Sequence, residues 1–196
     1  MPAFKDMALG EATRDTLNEM YDALTNSQQS IMNLEGVSAS TLGLGWADYA
    51  DSTYSEGSPF AVSNNTDTVL PNDGLNGPKT YAPDGIDLYD ADSGVITGRE
   101  GDGLLITLEL TVERQSNSGE FDFEVWWDIG GAVGELYRRY FRIRGGGLDR
   151  RVSYTTAVYT LDTWEANGAQ TYVRSSVPVN IWGVRYLIHR HIPGTA

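Results

Sequence analysis

Two long runs between residues 104 and 129 alternate apolar and polar side chains. In the first, Ile106, Leu108, Leu110 and Val112 fall on one face, and Thr107, Glu109, Thr111 and Glu113 on the other. In the second, Phe121, Phe123, Val125 and Trp127 oppose Asp122, Glu124, Trp126 and Asp128. A period of two describes strands with one buried and one wet face. The turn-rich segment 114–119 between them predicts an antiparallel hairpin. Two strands alone are marginal in water, so the rest of the chain must cover their apolar face.

The same pattern recurs over most of the sequence. Short strands are expected at 44–50, 58–63, 66–70, 86–89 and 94–97, and longer ones at 135–144, 151–161, 169–175 and 179–191. That makes about ten strands, separated by glycine, proline and asparagine turns, with no second helix. Such spacing predicts a mainly β protein, and an eight-stranded jelly-roll sandwich with one or two additional strands is the economical arrangement.

The first 36 residues read differently. Residues 10–35 are rich in helix formers and contain no proline. Leu17, Met20, Leu24, Ser27, Ile31 and Leu34 follow the 3-4-3-4-3 spacing of an a/d seam, and Gly36 stands where a left-handed helix stop is expected. A helix of about 25 residues would be roughly 37 Å long. Its stripe is narrower than that of a helix folded onto its own domain, which favours an oligomeric bundle with Leu17, Met20, Leu24, Ile31 and Leu34 in its core. Ser27 weakens that seam. The division expected is an arm and helix at 1–36 and a β domain at 37–196.

Composition narrows the chemistry. The 196 residues include no cysteine, which removes disulfides, thiolate metal sites and cysteine nucleophiles. No basic and apolar leader opens the sequence and nowhere do about 18 apolar residues run together, so a soluble chain without a recognisable export signal, and with no membrane partner, is expected. The net charge is −13, with 16 acids against 4 bases in residues 1–100 and 11 against 10 in residues 101–196. An acidic first half without a basic stripe argues against nucleic acid as a partner. All ten bases of the second half are arginines, six of them between Arg138 and Arg151. Pairing with the acidic half, within or between subunits, is the first expectation for them, and an acidic-glycan or phosphate patch the second.

Candidate chemistry is sparse. His189 and His191 share a strand face, so three copies near an axis would gather imidazoles around a metal or anion; two ordinary residues on a terminal strand is the simpler reading. The carboxylate-rich segment 84–94 lacks the ligand spacing of a calcium loop and reads better as Asx turns. No Gly-x-Ser-x-Gly elbow is present. Asp122, Glu124 and Asp128 beside Trp126 resemble a sugar cleft only in composition, since solubility alone places carboxylates on an exposed face. No enzyme activity, metal or cofactor is expected. Trp126, Tyr159, Trp164, Tyr172, Trp182 and Tyr186 should be core or subunit-interface residues. Trp126 stands on the polar side of its strand and is therefore the side chain expected to face a partner, a neighbouring subunit first and a glycan second.

The order of segments carries a resemblance. Trp46-Ala-Asp-Tyr-Ala-Asp-Ser-Thr-Tyr54, then Ser58-Pro-Phe60, then the stretch from Asn64 to Gly74, are followed by Ile86-Asp-Leu-Tyr-Asp90, Val95-Ile96 and Glu100-Gly-Asp-Gly103. The strand Ile181-Trp-Gly-Val-Arg-Tyr-Leu-Ile-His189 comes last. Over residues 44–192 this succession resembles the trimeric tumour-necrosis-factor-like jelly rolls of tailed-bacteriophage virion proteins: head fibres, capsid decoration proteins and fibre tips. The resemblance implies a homotrimer with its helices bundled at one end. The expected function is a structural one, capsid decoration as a cement or head-fibre protein, made in the host cytoplasm and residing on the virion surface. Its partners would be further copies of itself and the major capsid protein or another virion protein, anchored through Phe4, Lys5, Met7 and Leu9 of the arm. A tail-fibre tip or adhesin that binds a host surface glycan is the alternative.

Overall fold

In the computed structural model of the protein, the two alternating runs stand in different sheets. The structure describes residues 43–83, 86–116, 119–144 and 150–194, all within the unit Ala39–Ala196. The expected helix with Leu17, Met20, Leu24, Ile31 and Leu34, and the arm with Phe4, Lys5, Met7 and Leu9, lie outside the described residues.

In chain order the strands are β1 (Gly45–Ala50), β2 (Phe60–Val62), β3 (Thr68–Val69), β4 (Tyr89–Asp90) and β5 (Val95–Ile96). The long ones follow: β6 (Gly103–Arg114), β7 (Phe121–Asp128), β8 (Glu135–Ile143) and β9 (Arg150–Tyr159). A short helix α1 (Asp162–Asn167) precedes β10 (Ala169–Ser175) and β11 (Val179–Ile192). One sheet runs β1-β11-β6-β9 with β2 added on β11; the other runs β4-β5-β10-β7-β8 with β3 added on β10. Every ladder between these strands is antiparallel. The pairs β1 with β11, β5 with β10, β6 with β9 and β7 with β8 are nested one inside the next. That nesting is a long hairpin rolled across two sheets, which is the jelly-roll arrangement.

The hairpin expected between the two central runs is therefore corrected. β6 pairs with β11 and β9, whereas β7 pairs with β10 and β8. Alternation tells which face of a strand is buried, not which strand lies beside it. Here the turn after Arg114 crosses from one sheet to the other, and the two apolar faces meet as opposite walls of one core. The faces themselves are as expected: Ile106, Leu108, Leu110 and Val112, and Phe121, Phe123, Val125 and Trp127, are all buried.

Two local features also depart from the sequence reading. The strand expected at 86–89 begins only at Tyr89. The Tyr49 hydroxyl occupies the backbone there, donating to Asp87 Oδ1 (2.8 Å) and accepting from the Leu88 amide (3.0 Å). The β domain, in which no helix was expected, does contain one, α1, six residues long. It drops Trp164 into the core, where the indole N–H donates to the Ile96 carbonyl at 3.1 Å. Gly168 stops it at φ +67°, and a Cβ there would lie 2.6 Å from the Val95 side chain, so glycine is required on both counts.

One inward position of β11 is not apolar. Arg190 is 2% exposed, and its guanidinium donates to Asp102 Oδ1 through Nε (2.7 Å) and through Nη2. Its Nη1 donates to the Gly43 carbonyl at 2.7 Å. Asp102, fully buried, also accepts from the amides of Gly194 (2.5 Å) and Arg99 (2.9 Å). This pair ties together the start of β6, the end of β11 and the approach to β1. A buried charge is tolerable only when it is paired and its remaining hydrogen-bonding positions are filled, as they are here.

Candidate functional site: the outer face of the β1-β11-β6-β9 sheet

Because the apolar faces of β6 and β11 point inward, the residues between them form an outer face whose rows are set by register. His189, Leu105 and Ala157 stand side by side across β11, β6 and β9, followed by Leu187, Thr107 and Thr155, then Arg185, Glu109 and Ser153. On the far side Trp46 is opposite His189. The indole of Trp46 stacks on His189 at 6.0 Å between centroids and on Tyr81 at 5.2 Å.

The face has two unlike ends. One is apolar and aromatic, with Trp46 and Leu187 half-buried, Ala157 exposed, Leu105 37% exposed and Tyr159 61% exposed. The other is ionic. Asp48, 1% exposed, takes Arg185 Nε on both carboxylate oxygens (2.8 and 2.9 Å) and Nη2 on one. Glu109 lies 4.0 Å from Arg185 and 3.7 Å from Arg151. The segment 76–81 covers the free edge of β1, through backbone bonds from Trp46 to Tyr81, Asp48 to Pro78 and Ala50 to Asn76. On the opposite side β9 is the last strand of its sheet. An edge without proline or lysine and beside an apolar surface is suited to contact with another chain.

The other outer face corrects the expectation for Trp126. Its indole is 3% exposed, stacked on Tyr172 (5.6 Å, 15° between planes) and covered by the Arg138 guanidinium 3.8 Å from the ring centroid. Alternation placed Trp126 outward correctly, but two neighbours on the same face take up both sides of the ring. What this place offers a partner is Tyr172 and Arg138.

Of the two histidines, His189 stands on the outer face, half-buried against Trp46, and His191 is exposed where the β11–β6 ladder is irregular. Among the described residues no group of three histidines or carboxylates is placed to hold a metal. Asp90 folds its carboxylate onto its own turn, accepting from Ser93 Oγ and the Asp92 amide, and these bonds lower its pKa. Glu124 is held by Arg138, Asp122 lies 3.5 Å from Arg142, and Asp128 caps the Gly130 amide at 2.7 Å. Among the described residues of one chain, the ion pairs of the 138–151 arginines are made with carboxylates of the second half. Arg138 binds Glu124 and Glu135, Arg142 binds Glu120 and Asp122, Arg144 binds Glu120, and Arg151 binds Glu109. Ladder neighbours such as Asp122 and Arg142 are brought together by strand pairing itself, which composition by halves does not register.

Sequence reasoning missed a carboxylate that organises two loops beside this sheet. Asp73 accepts from the Ser52 amide (2.9 Å) and hydroxyl (2.6 Å), from Thr53 Oγ1 (2.9 Å) and from the Leu75 amide (3.1 Å). Burial alone raises its pKa, but those hydrogen bonds outweigh it and bring it down to about 2. A folded-state pKa below the unfolded one stabilises at pH above the unfolded value and loses that contribution as the pH falls through the folded one. Acidification from about pH 4 to about pH 2 should therefore free residues 51–54 first. Amide exchange at Ser52 should accelerate over that window, and Asp73→Asn should show the fast rate already at neutral pH.

No protein-family model matches the chain, and no curated protein matches it. Among solved structures, Eiger TNF from S. frugiperda is similar at 8% identity and a TM-score of 0.49, over 79% of this chain and 96% of that one. The PRD1 vertex protein P5 is similar at 11% identity and a TM-score of 0.43, over 74% of this chain and 72% of that one. The globular domain of the zebrafish complement 1qA protein is similar at 10% identity and a TM-score of 0.42, over 75% of this chain and 96% of that one. The strand order itself identifies the domain as an antiparallel jelly-roll sandwich.

Proposed function

We propose that this chain is a homotrimeric structural protein of a tailed-phage virion, attached to the capsid surface as a decoration protein. The observation that carries the reading is the apolar end of the outer β1-β11-β6-β9 face, where Trp46, Leu105, Leu187, Ala157 and Tyr159 leave a surface that a neighbouring copy would bury. The segment order of residues 44–192 supports the virion assignment by its resemblance to phage jelly rolls. In this reading the β9 edge of one subunit abuts the apolar face of the next around a threefold axis, and the arm and helix at residues 1–36 meet the capsid. Three weak contacts on a lattice of matching symmetry become firm attachment through effective concentration.

Sedimentation tests the assembly. At micromolar concentration the protein should sediment as a trimer, and Leu105→Glu with Ala157→Arg should yield a folded monomer. A wild-type chain that stays monomeric at that concentration sinks the proposal. Bare expanded capsids incubated with the trimer should gain density by electron microscopy, and removal of residues 1–9 should abolish it. An intact trimer that adds no density to capsids would remove the decoration role while sparing the assembly.

A further inference from the structure

Between the ends of β8 and β9, where the two sheets part, lies an open groove of about 570 Å³. Four arginines line it: Arg142 and Arg144 from the β8 side, Arg150 and Arg151 from the β9 side. Phe141, Ile143 and Val152, which belong to the inward faces of their strands, contribute apolar surface. Tyr140, 66% exposed, stands at the rim.

We infer that this groove binds an acidic polysaccharide, taking the carboxylates of uronic-acid-type units on its guanidinium groups and a sugar ring against its apolar and aromatic surface. The charge balance supports it. Three carboxylates serve three of the four arginines: Glu120 (3.0 Å from Arg142, 3.5 Å from Arg144), Asp122 (3.5 Å from Arg142) and Glu109 (3.7 Å from Arg151), the last shared with Arg185. The side chains of Arg142, Arg144 and Arg151 are 67%, 87% and 76% exposed, and ion pairs so open to water exchange readily for a ligand carboxylate. Arg150 has no acidic partner among the described residues. The planar fork of arginine receives a carboxylate through two parallel hydrogen bonds, and the apolar face of a pyranose ring suits an exposed tyrosine. With a net charge of −13 the chain offers a polyanion no long-range attraction overall, so such a ligand must be held by the groove itself. The groove sets guanidinium groups beside apolar surface, a combination that an acidic sugar chain complements along its backbone and that a nucleic acid, with phosphates and bases held apart, does not. Arg150 to Ser153 belong to the β9 edge that the trimer reading places beside a neighbour, so the titration is made on the chain as it assembles, and a trimer that fails to bind overturns this inference while leaving the assembly standing.

Calorimetric titration of the full chain at low salt, using oligogalacturonate, a neutral malto-oligosaccharide of equal length and oligo-dT as probes, tests it. Oligogalacturonate should bind, weaken as salt is added, and weaken at least tenfold in the double variant Arg144→Gln/Arg150→Gln. The neutral probe should give no heat. Arg174→Gln, which removes an arginine paired with Asp67 instead, should bind as the wild type does. Melting curves would establish that each variant is folded. Absence of oligogalacturonate binding, wild-type affinity in the double variant, or equal affinity for oligo-dT would each overturn the inference.

Discussion

Replacing Arg190 with methionine should destabilise the β domain by about 3–5 kcal/mol, because the Asp102 carboxylate would stay buried with no counter-charge. The geometry makes the site intolerant. Arg190 and Asp102 side chains are 1% and 0% exposed, so water cannot take the place of the missing guanidinium. The Gly43 carbonyl would lose its donor as well. For a domain of this size the loss corresponds to a fall in Tm of about 10 °C. Asp102→Leu should cost a similar amount, since it strands the guanidinium and the Gly194 and Arg99 amides. The double variant Arg190→Met/Asp102→Leu should recover part of the loss, and the coupling between the two sites should exceed about 1 kcal/mol. Urea denaturation of the four proteins measures this cycle. If each single change costs under about 1 kcal/mol, the pair is not the clamp described here.

High pH should unfold the domain cooperatively between about pH 10 and pH 12. Tyr49, Tyr89 and Tyr186 are 2%, 2% and 1% exposed and pack ring against ring, 5.4 Å between the first two and 5.3 Å between the last two. Burial pushes all three phenols above the ordinary tyrosine value; for Tyr49 the Asp87 carboxylate adds to it, and for Tyr89 the charges of Asp51 and Asp73 do. The sign follows from linkage. Below about pH 10 both folded and unfolded tyrosines hold their protons and nothing changes. Above it the unfolded chain gives them up while the folded chain cannot, so stability falls by about 1.4 kcal/mol per pH unit for each tyrosine. Three together remove about 4 kcal/mol per unit, and two units exhaust the 5–15 kcal/mol typical of a whole domain at its lower end. Tyrosinate absorbance should rise together with the loss of strand signal in circular dichroism. A smooth titration centred near pH 10 with the strands intact would show that these rings are accessible. Tyr186→Phe should shallow the slope by about one third, the share of one group in three.

Much of the fold was legible in the chain because strand alternation is a local property. The inward faces of β6 and β7 could be named from neighbours two residues apart, and the turns between strands announced themselves through glycine, proline and asparagine. The candidate site was partly legible for the same reason: period two placed His189 on the outer face of β11, whereas the irregularity in the ladder between Arg190 and Ile192 interrupts the count at His191. Trp164 was read as a core or subunit-interface aromatic and lies in the core, yet the six-residue helix that carries it gives too short a pattern to be seen. Trp126 was assigned correctly to the outer face, and only the arrival of Tyr172 from β10 and Arg138 from β8 decided that its ring is covered.

The sequence by itself determined which side of each long strand is apolar, that the domain is a mainly β sandwich, and that the chain's net negative charge lies almost wholly in its first hundred residues. Tertiary structure alone decided which strands lie side by side. It sent β6 and β7 to opposite sheets, paired Arg190 with an aspartate 88 positions away, and collected four arginines from two strands around one groove. The reason is physical: burial imposes a periodic choice on each residue from its immediate neighbours, whereas pairing depends on which distant surfaces close the core with the fewest orphaned polar groups. No pattern within a single strand carries that information.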